Sequence, residues 1–144
     1  MVYLLQFKCR IINKWHGEMS GEILITQSKI SFLGDVDMDT GEIVGKDLDI
    51  FGESLSNKIL IFSEGRGSTV GSNIIYGLAI KGLAPKLIIT CNIELITVSG
   101  AIFGDIPMII CQNEKIFNKF KNGDFVTINT IDKGLCVIKP IKST

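Results

Sequence analysis

The chain has 144 residues, of which 46% are hydrophobic and 21% charged, a balance typical of a globular protein and not of a disordered one. Fifteen basic and fifteen acidic residues leave no formal net charge, which argues against nucleic acid as a partner. No apolar run reaches the roughly 18 residues of a membrane span, and the amino terminus lacks the apolar stretch of a signal peptide. These features predict a soluble, cytoplasmic protein with one domain over residues 1–144 and no membrane partner.

The first half of the chain is predicted to form strands, because short runs rich in Ile, Leu and Val alternate with polar turns. These runs are residues 3–12, 22–26, 29–33 and 58–62. The loop at 34–41 carries Asp35, Asp37 and Asp39 in the alternation of a calcium-binding EF-hand loop. We discount calcium because the required glycine and glutamate are missing at the corresponding positions, and the flanking segments are strands.

The most informative segment is S-E-G-R-G-S-T-V-G-S at 63–72. It follows a predicted strand and precedes a helix with Val70, Ile74 and Leu78 on one face and Gly82 as its end. Its glycines allow a sharp turn and the close approach of a ligand, and the helix start offers free N–H groups and a positive dipole end. The segment is neither a Walker A loop nor the G-x-G-x-x-G of dinucleotide-binding folds.

Two interpretations of this segment remain open on local grounds. Ser68 or Thr69 is predicted to cap the helix, and a capped turn without any ligand is the simpler interpretation. However, Arg66 is one of only two arginines in the chain, and packing has little use for an arginine in a glycine loop. Arg66 therefore favours a binding or catalytic site.

The second half alternates between strands and helices. Strands are predicted at 87–90, 107–111, 125–129 and 135–138, a short helix at 114–120, and a short helix or strand at 94–98 that ends at 99–100. Two helices packed against many short strands predict a β-rich α+β domain and not a regular β-α-β winding.

The cysteines and the histidine offer few metal ligands. Cys9, Cys91, Cys111 and Cys136 are scattered, with no C-x-x-C pair, and the last three lie in or at the end of apolar runs. We expect buried, reduced thiols. His16 is the only histidine and is predicted to lie in a loop, so a histidine-dependent triad is excluded. No metal site is predicted in this chain.

Several short motifs occur in an order and spacing that are specific when taken together. They are I-S-F-L-G-D-V-D at 30–37, T-G at 40–41, Gly52, G-R-G-S-T-V-G-S at 65–72, A-P at 84–85, G-A at 100–101 and I-P at 106–107. Over roughly residues 17–110 this pattern resembles the small swivel subunit of the aconitase X family. The resemblance implies a swivelling three-layer β/β/α domain, like the mobile last domain of aconitase.

The resemblance also implies a reaction, a partner and a site. The reaction is the dehydration of (R)-5-phosphomevalonate, a phosphorylated hydroxy acid, to trans-anhydromevalonate 5-phosphate, on a mevalonate route to isoprenoids. A large partner subunit, in a heterodimer or a multiple of it, would hold a [4Fe-4S] cluster through its own cysteines. The family's serine proton acceptor corresponds to Ser68, and the candidate substrate-binding or base-activating residues are Arg66, Gly67, Thr69 and Ser72. For Thr69 and Ser72, a hydrogen bond to the substrate and simple capping of the helix both stay open.

Three departures from the family pattern bear on this implication. Asp35 replaces a glycine near the expected cleft, Thr69 replaces the second serine of the R-G-S-S motif, and Leu48 replaces a histidine common in the hydroxyproline-dehydratase branch. The last departure weakens the hydroxyproline interpretation more than the phosphomevalonate one. Two alternatives stay open: the same catalytic domain acting on another hydroxy acid, such as hydroxyproline, and a non-catalytic binding module of the same fold. The role of Arg66, in stabilising an alkoxide or in gripping the substrate, is also open.

Overall fold

A computed structural model describes residues 4–13, 15, 17–131 and 134–141, and this part of the chain contains seven strands and four helices. The strands are β1 (Leu5–Ile11), β2 (Glu18–Ile25), β3 (Ile59–Phe62), β4 (Leu87–Thr90), β5 (Met108–Cys111), β6 (Phe125–Ile131) and β7 (Leu135–Pro140). The helices are α1 (Phe32–Asp35), α2 (Val70–Ile80), α3 (Leu95–Phe103) and α4 (Ile116–Lys119).

The seven strands close into a barrel in the order β1-β5-β4-β3-β2-β6-β7, with β7 pairing back onto β1. Strands β2, β3, β4 and β5 run parallel to one another. The pairs that involve β1, β6 or β7 are antiparallel. The barrel therefore has a parallel wall and an antiparallel wall.

Apolar side chains cover both faces of the parallel wall. All four residues of β3 are buried: Ile59 and Ile61 belong to the core inside the barrel, whereas Leu60 and Phe62 belong to a second core on the outside. The same division holds for β4 and β5, whose residues are also all buried. Because successive side chains of a strand point to opposite faces, a strand covered on both faces needs such a continuous apolar run.

Helices α2 and α3 cover the outer face of the parallel wall. They follow β3 and β4, so residues 59–111 form a β-α-β-α-β unit, and the expectation that regular β-α-β winding is absent is wrong here. Helix α3 continues to Phe103 instead of stopping at Gly100. The two helices cross closely at Gly100, because a Cβ added to this residue would lie 2.7 Å from the Cβ of Ile75. None of the helices in the described residues has the length and apolar character to span a bilayer.

The two walls of the barrel and the helical layer confirm the three-layer β/β/α architecture. The predicted strand at 29–33 is wrong: Ile30 forms a single bridge, with Gly65, and the chain then enters α1. The Asp35 carboxylate accepts a hydrogen bond from the Ser31 N–H (2.8 Å), which stabilises this helical turn in place of a strand.

The cysteines require a second correction. Cys9 and Cys136 form a disulfide with a Cα–Cα distance of 5.9 Å, so the expectation of four reduced thiols is wrong for this pair. The barrel register is the cause: Phe7 pairs with Cys136 across β1 and β7, which places Cys9 two residues away on the neighbouring strand. Cys91 and Cys111 are free and buried, as predicted.

Candidate active site

The glycine-rich segment at 63–72 connects the carboxyl end of β3 to the first turn of α2. Ligands of open parallel sheets commonly bind at this end of the strands. The segment is fixed to the chain around residue 30, because Gly65 bridges Ile30 in parallel orientation and the Arg66 N–H donates to the Ile30 carbonyl (3.0 Å). Backbone contacts with the chain around residue 30 therefore hold the start of an otherwise exposed loop.

Ser68 lies at the start of α2 with its side chain exposed. Its Oγ accepts a hydrogen bond from the Val70 N–H (3.1 Å), and its carbonyl accepts one from the Gly71 N–H (2.9 Å). Thr69 directly precedes the helix but makes no side-chain cap, so the Ser68 side chain performs the predicted capping. An oxygen in this position meets the positive end of an 11-residue helix and a donated N–H, and both favour negative charge on that oxygen.

Arg66 brings a positive charge to the same loop. Its side chain is 57% exposed, and one guanidinium nitrogen lies 4.0 Å from Oδ2 of Asp35. Asp35 is the only ionic partner of Arg66 among the described residues. The guanidinium therefore retains donors for an anionic ligand.

Two glycines of the loop are required by their surroundings. Gly67 has φ +93°, a left-handed conformation that side chains disfavour, and an added Cβ would lie 2.8 Å from the Ser31 Oγ. Gly65 is buried, and a Cβ there would overlap the Glu94 Oε1 and the Thr97 Oγ1. The loop thus passes against Ser31 on one side and against the start of α3 on the other.

Thr69 and Ser72 face the space between α2 and α3. The Ser72 hydroxyl donates to the Thr69 carbonyl (2.8 Å) inside the first turn of the helix. Both residues line a shallow pocket of about 160 Å³, together with Leu95, Ile96 and Ser99. The structure therefore brings Arg66, Gly67, Ser68, Thr69 and Ser72 together on one loop and helix start, as contiguous sequence requires.

Glu94 is a neighbour of the site that the sequence analysis missed. Its carboxylate accepts hydrogen bonds from the Ile96 N–H (2.5 Å), the Thr97 N–H (3.0 Å) and the Thr97 hydroxyl (2.7 Å), and so caps α3. The available signal was a polar residue just before an apolar helix pattern, but glutamate is a less common cap than Ser, Thr, Asp or Asn. The Glu94 side chain also lies so close to Gly65 that a Cβ on that glycine would overlap the carboxylate Oε1.

Potential metal ligands do not converge in the described residues. No group of three or more His, Cys, Asp and Glu side chains there is arranged to hold a metal ion. Burial raises the pKa of the Cys91 thiol to about 12, with Cys111 and Glu114 adding to the effect, and burial raises the pKa of Cys111 to about 11. Both thiols are therefore protonated at neutral pH. His16 lies outside the described residues.

Comparisons with known proteins identify relatives along most of the chain. A relative from Archaeoglobus fulgidus named phosphomevalonate dehydratase small subunit is 44% identical over 130 residues, which are 90% of this chain and 96% of the relative. One of the same name from Methanococcoides burtonii is 40% identical over 126 residues, or 88% of this chain and 90% of that one.

A solved structure shows the same fold. The holo-form crystal structure of Thermococcus kodakaraensis aconitase X superposes with a TM-score of 0.81 and 38% identity, covering 96% of this chain and 99% of that one. The model of the aconitase X swivel domain matches residues 6–137, which include the whole glycine loop. The chain therefore belongs to the aconitase X swivel domain family.

Proposed function

We propose that this chain is the small subunit of a phosphomevalonate dehydratase, which removes water from (R)-5-phosphomevalonate to give trans-anhydromevalonate 5-phosphate. Relatives with this name, which align over 90% and 88% of the chain, support the assignment. The observation that carries it is the position of Ser68, an exposed hydroxyl at the start of α2 that already accepts the Val70 N–H. A cytoplasmic location remains a prediction.

Ser68 is the base of this elimination. Its alkoxide oxygen takes the proton from the carbon α to the carboxylate, the C–H electron pair forms the second bond of the alkene, and the hydroxyl on the β carbon leaves with its bonding pair as hydroxide. The hydroxide becomes water with the proton that Ser68 releases when its alkoxide is regenerated. A serine hydroxyl is a poor base, so the site must favour the alkoxide. The Val70 N–H, the positive end of α2 and the charge of Arg66 all lower the energy of an anionic oxygen in this position.

The departing hydroxyl needs a Lewis acid, which a [4Fe-4S] cluster supplies when bound. The described cysteines of this chain do not fit such a cluster, because Cys9 and Cys136 are joined in a disulfide while Cys91 and Cys111 are buried, protonated thiols. We therefore assign the cluster to cysteines of a large partner subunit. The contribution of this chain is the base and its surroundings.

The exposure of the loop supports a shared site. The side chains from Arg66 to Val70 are all exposed, although elimination chemistry needs a substrate shielded from bulk water. A large subunit placed over this loop would provide that shield together with the cluster, in a heterodimer or a multiple of it. We expect the isolated chain to be inactive.

Arg66 has two candidate roles, which one substitution separates. Arg66→Lys keeps the positive charge but loses the two-pronged guanidinium. A fall in kcat at saturating substrate would favour stabilisation of the alkoxide, whereas a rise in KM alone would favour a grip on the carboxylate or phosphate of the substrate. Thr69 and Ser72, which line the neighbouring pocket, are assigned to substrate contact.

The test is anaerobic co-expression with the candidate large subunit, followed by a product assay on (R)-5-phosphomevalonate. Formation of the anhydro acid by the complex, and by neither chain alone, is the expected result. A cluster-loaded complex that leaves this substrate unchanged would contradict the substrate and favour another hydroxy acid, such as hydroxyproline. Failure of the two chains to associate would contradict the subunit assignment and favour a non-catalytic binding module.

A further inference from the structure

We propose that Asp35 is a positioning residue, which fixes the direction in which the Arg66 guanidinium points at the site. Its importance for turnover rests on the proposed function, whereas its effect on the conformation of Arg66 does not. The two effects can therefore be tested separately.

Asp35 is itself held firmly. Its side chain is only 14% exposed, and its Oδ2 accepts the Ser31 N–H (2.8 Å). Its backbone N–H donates to the Ser31 carbonyl (2.7 Å), and its carbonyl accepts the N–H groups of Val44 (2.8 Å) and Gly45 (3.2 Å). Gly45 has no room for a side chain, since an added Cβ would overlap the Asp35 carboxylate. The Asp35 carboxylate is consequently held in one position.

The Asp35 carboxylate lies beside the glycine loop. Ser31, which donates its N–H to Asp35, also approaches Gly67 so closely that a Cβ there would lie 2.8 Å from its Oγ. The loop and the Asp35 turn are also joined by the Arg66 N–H, which donates to the Ile30 carbonyl. Asp35 thus shares one rigid support with the loop that carries Ser68.

The Arg66 side chain lacks such support of its own. It is 57% exposed, and its long stem loses much conformational entropy when it is held in one direction. A half-exposed ion pair at 4.0 Å adds little to stability, so stabilising the fold does not account for its presence. Its effect is to orient the guanidinium before substrate arrives, while leaving donors free for an anionic carboxylate or phosphate.

The first test is NMR relaxation of the arginine Nε–Hε groups in the whole chain. Arg10 and Arg66 are the only arginines, so Arg10 is an internal reference. Asp35→Asn keeps the side-chain size and an oxygen for the Ser31 N–H, but removes the charge. We expect a lower order parameter for Arg66 and an unchanged one for Arg10.

Glu64→Gln is the matched control. Glu64 pairs with Lys29 at 3.7 Å in the same loop and makes no ion pair with Arg66. We expect it to leave the mobility of Arg66 unchanged. An Arg66 that is equally mobile in the wild-type chain and in the Asp35→Asn variant would overturn the proposal.

The second test is a double-mutant cycle in the complex with the large subunit. Asp35→Asn is expected to lower kcat/KM about tenfold, and to cause no further loss when Arg66 is already alanine. An equal loss in both backgrounds would show that Asp35 acts independently of Arg66 and would overturn the proposal. If the wild-type complex does not convert phosphomevalonate, the proposed function fails, and the NMR measurement still decides whether Asp35 positions Arg66.

Discussion

The starts of α2 and α3 occupy similar positions in the fold, but different side chains accept their free backbone N–H groups. Both helices follow neighbouring parallel strands and pack against each other on the same face of the barrel. At α3, the Glu94 carboxylate accepts two backbone N–H groups and the Thr97 hydroxyl. At α2, the exposed hydroxyl of Ser68 accepts a single N–H. A carboxylate neutralises the positive end of its helix, whereas a hydroxyl leaves that end available to an anion.

The largest expected effect comes from Ser68→Ala, which removes the proposed base from the start of α2. We expect turnover by the complex to fall by about a thousandfold, the usual scale for loss of a general base. Folding should change little, by about 1 kcal/mol or less, because only one cap is lost. Product formation and urea unfolding measure the two effects. A near-wild-type rate from a cluster-loaded complex would rule out Ser68 as the base.

Ser68→Asp extends the same experiment, because it places a carboxylate at the start of α2, as Glu94 does at the start of α3. A carboxylate at this position should cap the helix at least as well as serine does and should favour folding slightly. The variant should nevertheless be inactive. An active Ser68→Asp complex would show that an open helix start is not what the reaction requires.

Gly65→Ala tests the contact between the two helix starts. The new methyl group would overlap the Glu94 Oε1 and the Thr97 Oγ1, so we expect unfolding to become easier by about 3 kcal/mol. Gly34→Ala is the control, because nothing lies within 4 Å of a Cβ there. Urea unfolding of both variants is the measurement. Equal stability of the two would mean that the loop is not confined by α3.

Glu94→Ala should open the start of α3. Loss of the carboxylate leaves two backbone N–H groups without their partner, and we expect a cost of about 1.5 kcal/mol in the free energy of unfolding. Glu94→Gln keeps an oxygen acceptor and should cost less. If the alanine variant unfolds at the wild-type urea concentration, the carboxylate cap is not what closes α3.

A pH-dependent effect is expected from the two buried thiols, Cys91 between β4 and α3 and Cys111 at the end of β5. Thiols in the unfolded chain ionise near pH 9.0, whereas Cys91 and Cys111 in the fold have pKa values of about 12 and 11. Their contribution to stability is therefore complete below pH 9 and is lost as the pH rises towards the folded values. Between pH 8 and pH 10.5, the free energy of unfolding measured in urea should decline less when both cysteines are replaced by alanine. An unchanged decline would contradict the raised pKa values.

The sequence predicts the start of α2, which Ser68 caps, better than the start of α3, which Glu94 caps. The glycines and hydroxyls at 65–72 and Gly82 identify α2 and its loop, because local backbone chemistry decides both. The capping of α3 by Glu94 was missed because it depends on one side chain folding back on its own helix start.

The two errors have different physical causes, one local and one between distant residues. Residues 29–33 have the composition of a strand, but only Ile30 finds a pairing partner, and the Asp35 carboxylate favours a helical turn. The disulfide joins Cys9 and Cys136 across 127 residues of sequence, and only the closure of β1 onto β7 brings them together. The disulfide is therefore not encoded in any local pattern, whereas the helical turn rests on a contact between residues four apart.

Closure of the barrel has a consequence for assembly. Each of the seven described strands pairs with a neighbour on both sides, although β1 and β2 do so over different residues, so none is an edge strand along its whole length. We therefore expect another subunit to be recognised mainly through side chains and loops, which can diverge without disturbing a strand pairing. The same closure protects a subunit that is synthesised before its partner from growing into edge-to-edge aggregates.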